Sequence, residues 1–330
     1  MSAPGQPAAR RFWIYPAVLA GVWLAWVVAM AMADAWGLFL TRWPMALTMV
    51  FGSFVAGSTP AGGGAVAYPV FTKLLSIPTK DAALFGLMIQ AVGMNMAAIF
   101  ILTRGIRVNF RVIRWTLLGA IPGVMLGLAF IELPRNVPKL AFSSLLLVFA
   151  ITLYRSHWKR RHRPEAEVVA WTRRDAIRFV VVGVVGGLVA SQLGAGADML
   201  CFVLMTLGYG LDERVAVPTS VVTMGVISLV AFMFRLLLPE PIGVVWEYWA
   251  VAAPVVAVGA PFGAWVASKA KGGAILVFVF CLVTVEVVTT AILVPVDGPR
   301  ALMLIGVLVV SVVWFRRLRA LRSRHLSDGA

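Results

Sequence analysis

The sequence predicts an all-α polytopic membrane protein. About eight full transmembrane helices are joined by two broken, re-entrant helical hairpins, arranged as an inverted repeat. Three observations lead there. First, 61% of the 330 residues are hydrophobic and 13% are charged; a soluble domain carries roughly 45–50% apolar and about 25% charged residues. Second, apolar runs near the roughly 20 residues that cross a bilayer recur along the whole chain. Third, two of the apolar stretches are interrupted by small and polar residues, Gly57-Ser58-Thr59-Pro60-Ala61-Gly62-Gly63-Gly64 and Ser191-Gln192-Leu193-Gly194-Ala195-Gly196-Ala197-Asp198.

The same composition excludes other classes. Two cysteines cannot staple a chain of 330 residues, so a disulfide scaffold is out. The apolar content is too high for disorder. Too little polar surface remains for a soluble enzyme. The formal net charge of +15 raises nucleic acid as a partner. The basic residues, however, sit in short clusters between apolar runs, as at Arg104, Arg107, Arg111 and Arg114. Such clusters set membrane orientation, so nucleic acid is not expected.

In chain order, full spans are expected near 13–36, 81–103, 112–133, 138–156, 215–238, 244–268, 273–293 and 300–315. The first apolar run is longer than the roughly 7–15 residues of a signal-peptide core, so it reads as an uncleaved helix. Lys and Arg mark cytoplasmic ends. Arg10 and Arg11, the 104–114 cluster, the 155–178 linker, Lys269, Lys271 and the basic tail are therefore placed inside. Segment 44–76 must then start and finish outside, and segment 176–210 must start and finish inside. Each reads as two half-helices meeting at the break. The units are 1–43, a first repeat 44–156, a linker 157–175, a second repeat 176–293, and 294–330. An odd number of spans between the breaks inverts one repeat relative to the other, an arrangement found in secondary transporters. Gly119, Gly123 and Gly127 are echoed by Gly259, Gly263 and Ala267. Small residues at this spacing read as close helix packing.

Irregular backbone at membrane depth is tolerated where it is packed in protein or lines a cavity. A helix starting at Gly62, Gly63 and Gly64, and another near Gly194 and Gly196, would each present unpaired N–H groups and a positive dipole end. Two such ends meeting near the midplane make an anion site. Ser58, Thr59, Gln192, Thr219 and Ser220 supply polar side chains for it, with Gln90 and Asn95 in the matching helix of the first half. The hydroxyls are equally explained by bonds to their own preceding turns. Asp198 and Glu286 are intramembrane carboxylates, and so candidates for carrying a proton. Asp198 is also placed to cap its helix, and Glu286 to tie helices together. Arg235 is close enough to a helix end to snorkel. No Gly-Lys-Ser/Thr follows either break, no metal-ligand spacing is visible, and no nucleophile–His–acid set lies in the spans. No catalytic role, metal or cofactor is expected.

The run Ala56-Gly57…Gly62-Gly63-Gly64…Pro69, its echo Gly194-Ala195-Gly196, and Asp212-Glu213-Arg214-Val215-Ala216-Val217-Pro218-Thr219-Ser220 resemble the TauE/SafE sulfite exporter family over about 45–300. The second break departs in reading Gly-Ala-Gly, and Ala83-Leu84-Phe85-Gly86-Leu87 lacks a Thr-Ser pair. The resemblance implies a multi-pass protein of the bacterial inner membrane that moves sulfite, sulfonates or related sulfur-containing organic anions. Both termini are expected in the cytoplasm. The expected partners are a small anion and the lipid bilayer, with a homodimer as a candidate assembly. A potential of about 100 mV supplies roughly 2.3 kcal/mol per charge, enough for uniport export of an anion. Import would need a coupling ion, with Asp198 or Glu286 as its carrier. An anion channel and a non-transporting scaffold are the alternatives.

Overall fold

A nearly continuous apolar sequence with few strand breakers satisfies its backbone within lipid by coiling into helices. In the computed structural model every regular element among the described residues is helical. Those residues are 13–134, 137–158, 171–269, then 280, 281, 283–286, 288–290 and 292, with single residues at 306 and 317. Helix α1 (Ile14–Met32) is apolar all round and buries only Met30. It docks through the Tyr15 ring on Phe100, 5.5 Å between centroids, and through Trp26 Nε1, which donates to Ala250 O at 2.7 Å.

After a left-handed turn at Asp34 come α2 (Leu38–Ser58), a break, the short α3 (Gly64–Pro69) and a wider i→i+5 turn over Val70–Leu74. The first half continues with α4 (Thr79–Thr103), α5 (Phe110–Phe130) and α6 (Val137–Trp158). The second half repeats the order. A long arm α7 (Arg173–Leu193), a break, a short α8 (Ala197–Val203) and a wide turn over Leu204–Gly208 lead to α9 (Glu213–Leu237) and α10 (Val245–Lys269). Local detail recurs too. Thr72 Oγ1 bonds back to Tyr68 O, as Thr206 Oγ1 does to Phe202 O. The amide of Ile77 reaches Phe71 O, as that of Leu211 reaches Met205 O.

The halves exchange helices, and glycine is what allows it. Helix α5 lies along α7, and α10 along α2. A Cβ at Gly119 would stand 2.0 Å from Val180 O; at Gly183, 2.2 Å from Thr116 O; at Gly57, 1.8 Å from Ala260 O. No side chain fits there. The small-residue stripes are thus backbone-to-backbone contacts, which is how helices pack in lipid.

Polar residues gather at two ends. At one, Arg42 pairs with Glu247 at 2.9 Å, and Lys80 reaches Glu132 at 2.7 Å and Glu240 at 3.1 Å. At the other, the amide of Asn109 donates to Thr219 Oγ1 at 2.9 Å and Arg111 lies over Trp171. There too, Asp175 Oδ1 accepts from Arg178 and from the hydroxyl of Tyr209. Burial holds that phenol above its usual range, so it stays a donor. The first broken segment leaves from and returns to the first end, through Arg42 and Lys80. The second leaves from and returns to the other, through Asp175 and Tyr209.

Two expectations change. Each hairpin is not a pair of half-helices: its first arm has 21 residues, and only the second arm is short. Helix α2 starts at Leu38 and carries Arg42, paired with Glu247, in its second turn. Seven described helices are long and apolar enough to cross a membrane, and α2 and α7 are among them. The expected span 300–315 lies outside the described residues apart from 306, and 273–293 is described only in part. Leu24, Leu40, Phe51 and Phe130 expose their side chains on the outer faces, as lipid contact requires. Exposed Trp36, Trp43 and Trp246 ring the first end, and Trp13 and Trp265 the second, the interfacial placement this residue favours.

Candidate functional site

The first break begins where Thr59 leaves α2 in an extended conformation. Thr59 Oγ1 donates to Val55 O at 3.0 Å and accepts the amide of Ala61 at 3.2 Å, which closes the turn. Gly62 then takes φ +67°, and α3 starts with no side-chain cap. The second break begins with Gly194 in the left-handed conformation that ends many helices. Gly196 follows at φ +125°, a region only glycine enters freely. Asp198 Oδ1 accepts the amides of Gly196 and Met199, both at 3.0 Å. The carboxylate thus caps the start of its own short helix.

The two breaks touch. A Cβ on Gly64 would stand 2.9 Å from Ala195 Cβ. A Cβ on Gly62 would stand 3.0 Å from Asp198 Oδ2 and 3.4 Å from Gln90 Oε1. Helix α4 forms the wall beside them: Gln90 Nε2 donates to Gly194 O at 2.5 Å, and Gly86 faces Gly194 with no room for a side chain at ordinary contact distance. The residues of the crossing, Ser58 to Gly64 and Gly194 to Asp198, are buried. Ser58 Oγ, Gln90 Oε1 and Asp198 Oδ2 have no hydrogen-bond partner among the described residues. The first break therefore offers uncapped amides, and the second offers a spare carboxylate oxygen.

A family model described as Sulfite exporter TauE/SafE matches residues 45–290. The chain belongs to this family. No curated protein and no solved structure shows a significant match. The family is one of membrane transporters, and with seven apolar helices the chain is a multi-pass membrane protein. In this TauE/SafE protein the matched region contains both breaks, their crossing and helices α4 to α10.

The other polar residues singled out from the sequence are engaged elsewhere. Gln192 Nε2 donates to Gly127 O and Ile131 O, at the end of α5. Thr219 Oγ1 donates to Val215 O and holds the amide of Asn109, and Ser220 Oγ bonds back to Val217 O. Asn95 Nδ2 ties α4 to Gly225 O of α9. Arg235, rather than snorkelling, is buried and donates to Glu240 O at 2.7 Å, fastening the loop after α9.

Glu286 belongs to a different cluster. Lys73 Nζ lies 2.6 Å from Glu286 Oε2, with both side chains buried. Ser143 Oγ donates to Glu286 Oε1 at 2.7 Å, and Lys73 also donates to Thr289 and Thr290 hydroxyls. Glu286 is thus tied into packing through a cation that the sequence reading missed. A lysine inside an apolar segment was the available signal, since intramembrane charges require partners.

Proposed function

We propose that this protein is a secondary transporter that exports a small sulfur-containing oxyanion, sulfite or a sulfonate, across the bacterial inner membrane. Both termini would lie in the cytoplasm. The single observation that carries the reading is the contact between the two breaks inside the bundle. Irregular backbone at that depth is kept only where it is packed or serves a ligand. Here it coincides with unpaired buried oxygens and an uncapped helix start. The anion would be held mainly by the amides of Gly62, Gly63 and Gly64, which no side chain occupies. Ser58, whose hydroxyl is unpaired, would donate to it.

The grouping of helix ends supports an inverted repeat, with one hairpin entering from each face. The long arms reach the crossing from opposite ends, and the short arms, too brief to span about 30 Å, return from it. Alternating exposure would follow if the exchanged pairs α5–α7 and α10–α2 rock as units, since their glycine contacts bind each pair tightly. The crossing is closed in this conformation, so the anion needs that motion to enter.

The test is labelled sulfite flux in proteoliposomes, with sulfonates as competitors. Saturable, counter-flow-stimulated flux is expected, and Gly64→Val, which pushes a side chain into Ala195, should abolish it. Flux that rises linearly with concentration and ignores counter-flow would replace the carrier with a channel. A folded protein that moves none of these anions would reject the reading.

A further inference from the structure

Charge at the crossing does not balance. Asp198 is fully buried, and Gln90 is 2% exposed. Each has one oxygen with no partner among the described residues, and a Cβ on Gly62 would stand 3.0 Å from the Asp198 oxygen and 3.4 Å from that of Gln90. Neither group can turn away. Asp198 is pinned through Oδ1 by the amides of Gly196 and Met199, and Gln90 through Nε2 by Gly194 O. Two unpartnered acceptors beside the same glycine in a dry site are costly. An amide oxygen and an ionised carboxylate are acceptors only, whereas a protonated carboxyl is a donor. One added proton therefore satisfies both orphans.

We infer that Asp198 Oδ2 binds an exchangeable proton, hydrogen-bonded to Gln90 Oε1, and that this proton crosses the membrane with the anion. The inference rests on the transport reading above. Its logic is that an ionised Asp198 would repel an anion arriving at Gly62, and a neutral Asp198 admits it. The proton comes from the aqueous phase to which the site is open and leaves into the other with the anion. Only the O–H bond is made and broken, and the carboxylate is regenerated. Glu286 is not a rival carrier, because Lys73 already neutralises it. On the same short helix as Asp198, the Cys201 thiol lies 3.6 Å from Thr116 Oγ1. The described charged side chains of α2, α4, α5, α7 and α9 lie within two turns of their helix ends, and Lys139 near the start of α6. A proton cancels the charge of a monoanion, so the potential that would drive uniport export drops out, and export then runs only down the combined anion and proton concentration gradients.

The experiment loads proteoliposomes with a pH-reporting dye and adds labelled sulfite. Wild type should move about one proton per monoanion, and potential should have little effect. Asp198→Asn should lose anion-driven proton movement at least tenfold while labelled counter-flow remains measurable. Gln90→Leu, which removes the acceptor for the proton, should shift the pH midpoint of flux downward. Anion flux without proton movement, flux that needs sodium and ignores pH, or an Asp198→Asn protein that moves protons like wild type would each overturn the inference and leave transport standing. If no anion moves at all, the transport reading fails, and infrared spectroscopy judges the proton site separately. A carboxylic-acid carbonyl band present in wild type and missing in Asp198→Asn supports it; no such band at any pH overturns it.

Discussion

The two breaks share an architecture and differ in electrostatics. The first short arm starts uncapped, with Ala65 as its second residue; the second short arm has Asp198 there, and that carboxylate fills its own amides. A second contrast lies just over two turns further on. The wide turn of the first arm carries Lys73 where the second carries Leu207. Related halves therefore need not act alike. The first break leaves its helix start without a side-chain cap, and the second caps its own with a carboxylate.

The largest effect should come from the charge that only the first arm has. Glu286→Leu leaves Lys73 buried and unpaired, which costs about 3–5 kcal/mol. The double variant Lys73→Leu/Glu286→Leu makes the first arm resemble the second and should recover most of that loss. Denaturant unfolding in detergent measures both; no recovery in the double variant would show that the hydroxyls, not the ion pair, hold the cluster together.

The glycines should separate next. Gly196 combines φ +125° with a would-be Cβ only 2.8 Å from Val189 Cγ1, so Gly196→Ala should cost about 1–3 kcal/mol. Gly63 is helical at φ −63°, and its Cβ would meet Gly52 O at 3.3 Å. Gly63→Ala should be milder, within about 1 kcal/mol of neutral. Equal melting temperatures for the two variants would contradict the difference drawn between the breaks. Thr59→Val tests the turn of the first break, where a threonine hydroxyl stands in for the left-handed Gly194 that ends the long arm of the second. It removes the hydroxyl that accepts from Ala61 and should cost about 1 kcal/mol in the same assay.

The smallest effect concerns the first end. The Lys80 ammonium hydrogen-bonded to Glu132 holds that carboxyl below its ordinary value. A lowered folded-state value means the contribution is present above the unfolded value and is lost as pH falls through the folded one. The pair is exposed, so the shift in melting temperature on acidification should be slight. It should vanish in Lys80→Met.

Much of this was legible in the sequence because periodicity and composition report burial in lipid. The broken segments, the helices after them and the glycine stripes were visible as small residues at fixed spacing, and their packing followed. The cap at Asp198 was readable as one of its candidate roles because a short acidic side chain beside a helix start can accept the free amides there. What was not legible depended on long-range partners. Arg42 lies inside the 21-residue α2 with Glu247 of α10 as its partner, and the role of Glu286 rests on Lys73. Gln192 sits in the second break by sequence, yet its amide points to the end of α5. Nothing local to those residues encodes that direction.

The most direct measurement is side-specific labelling of two single cysteines, Thr79→Cys in the bend after the first hairpin and Arg214→Cys in the bend after the second. Cys201 and Cys281 would be replaced by serine or alanine. An impermeant thiol reagent added to intact cells should label Cys at 79 and leave Cys at 214 untouched until the membrane is opened. Labelling of both from the same face would contradict hairpins that enter from opposite sides, and with it the crossing of the two breaks as the transport site.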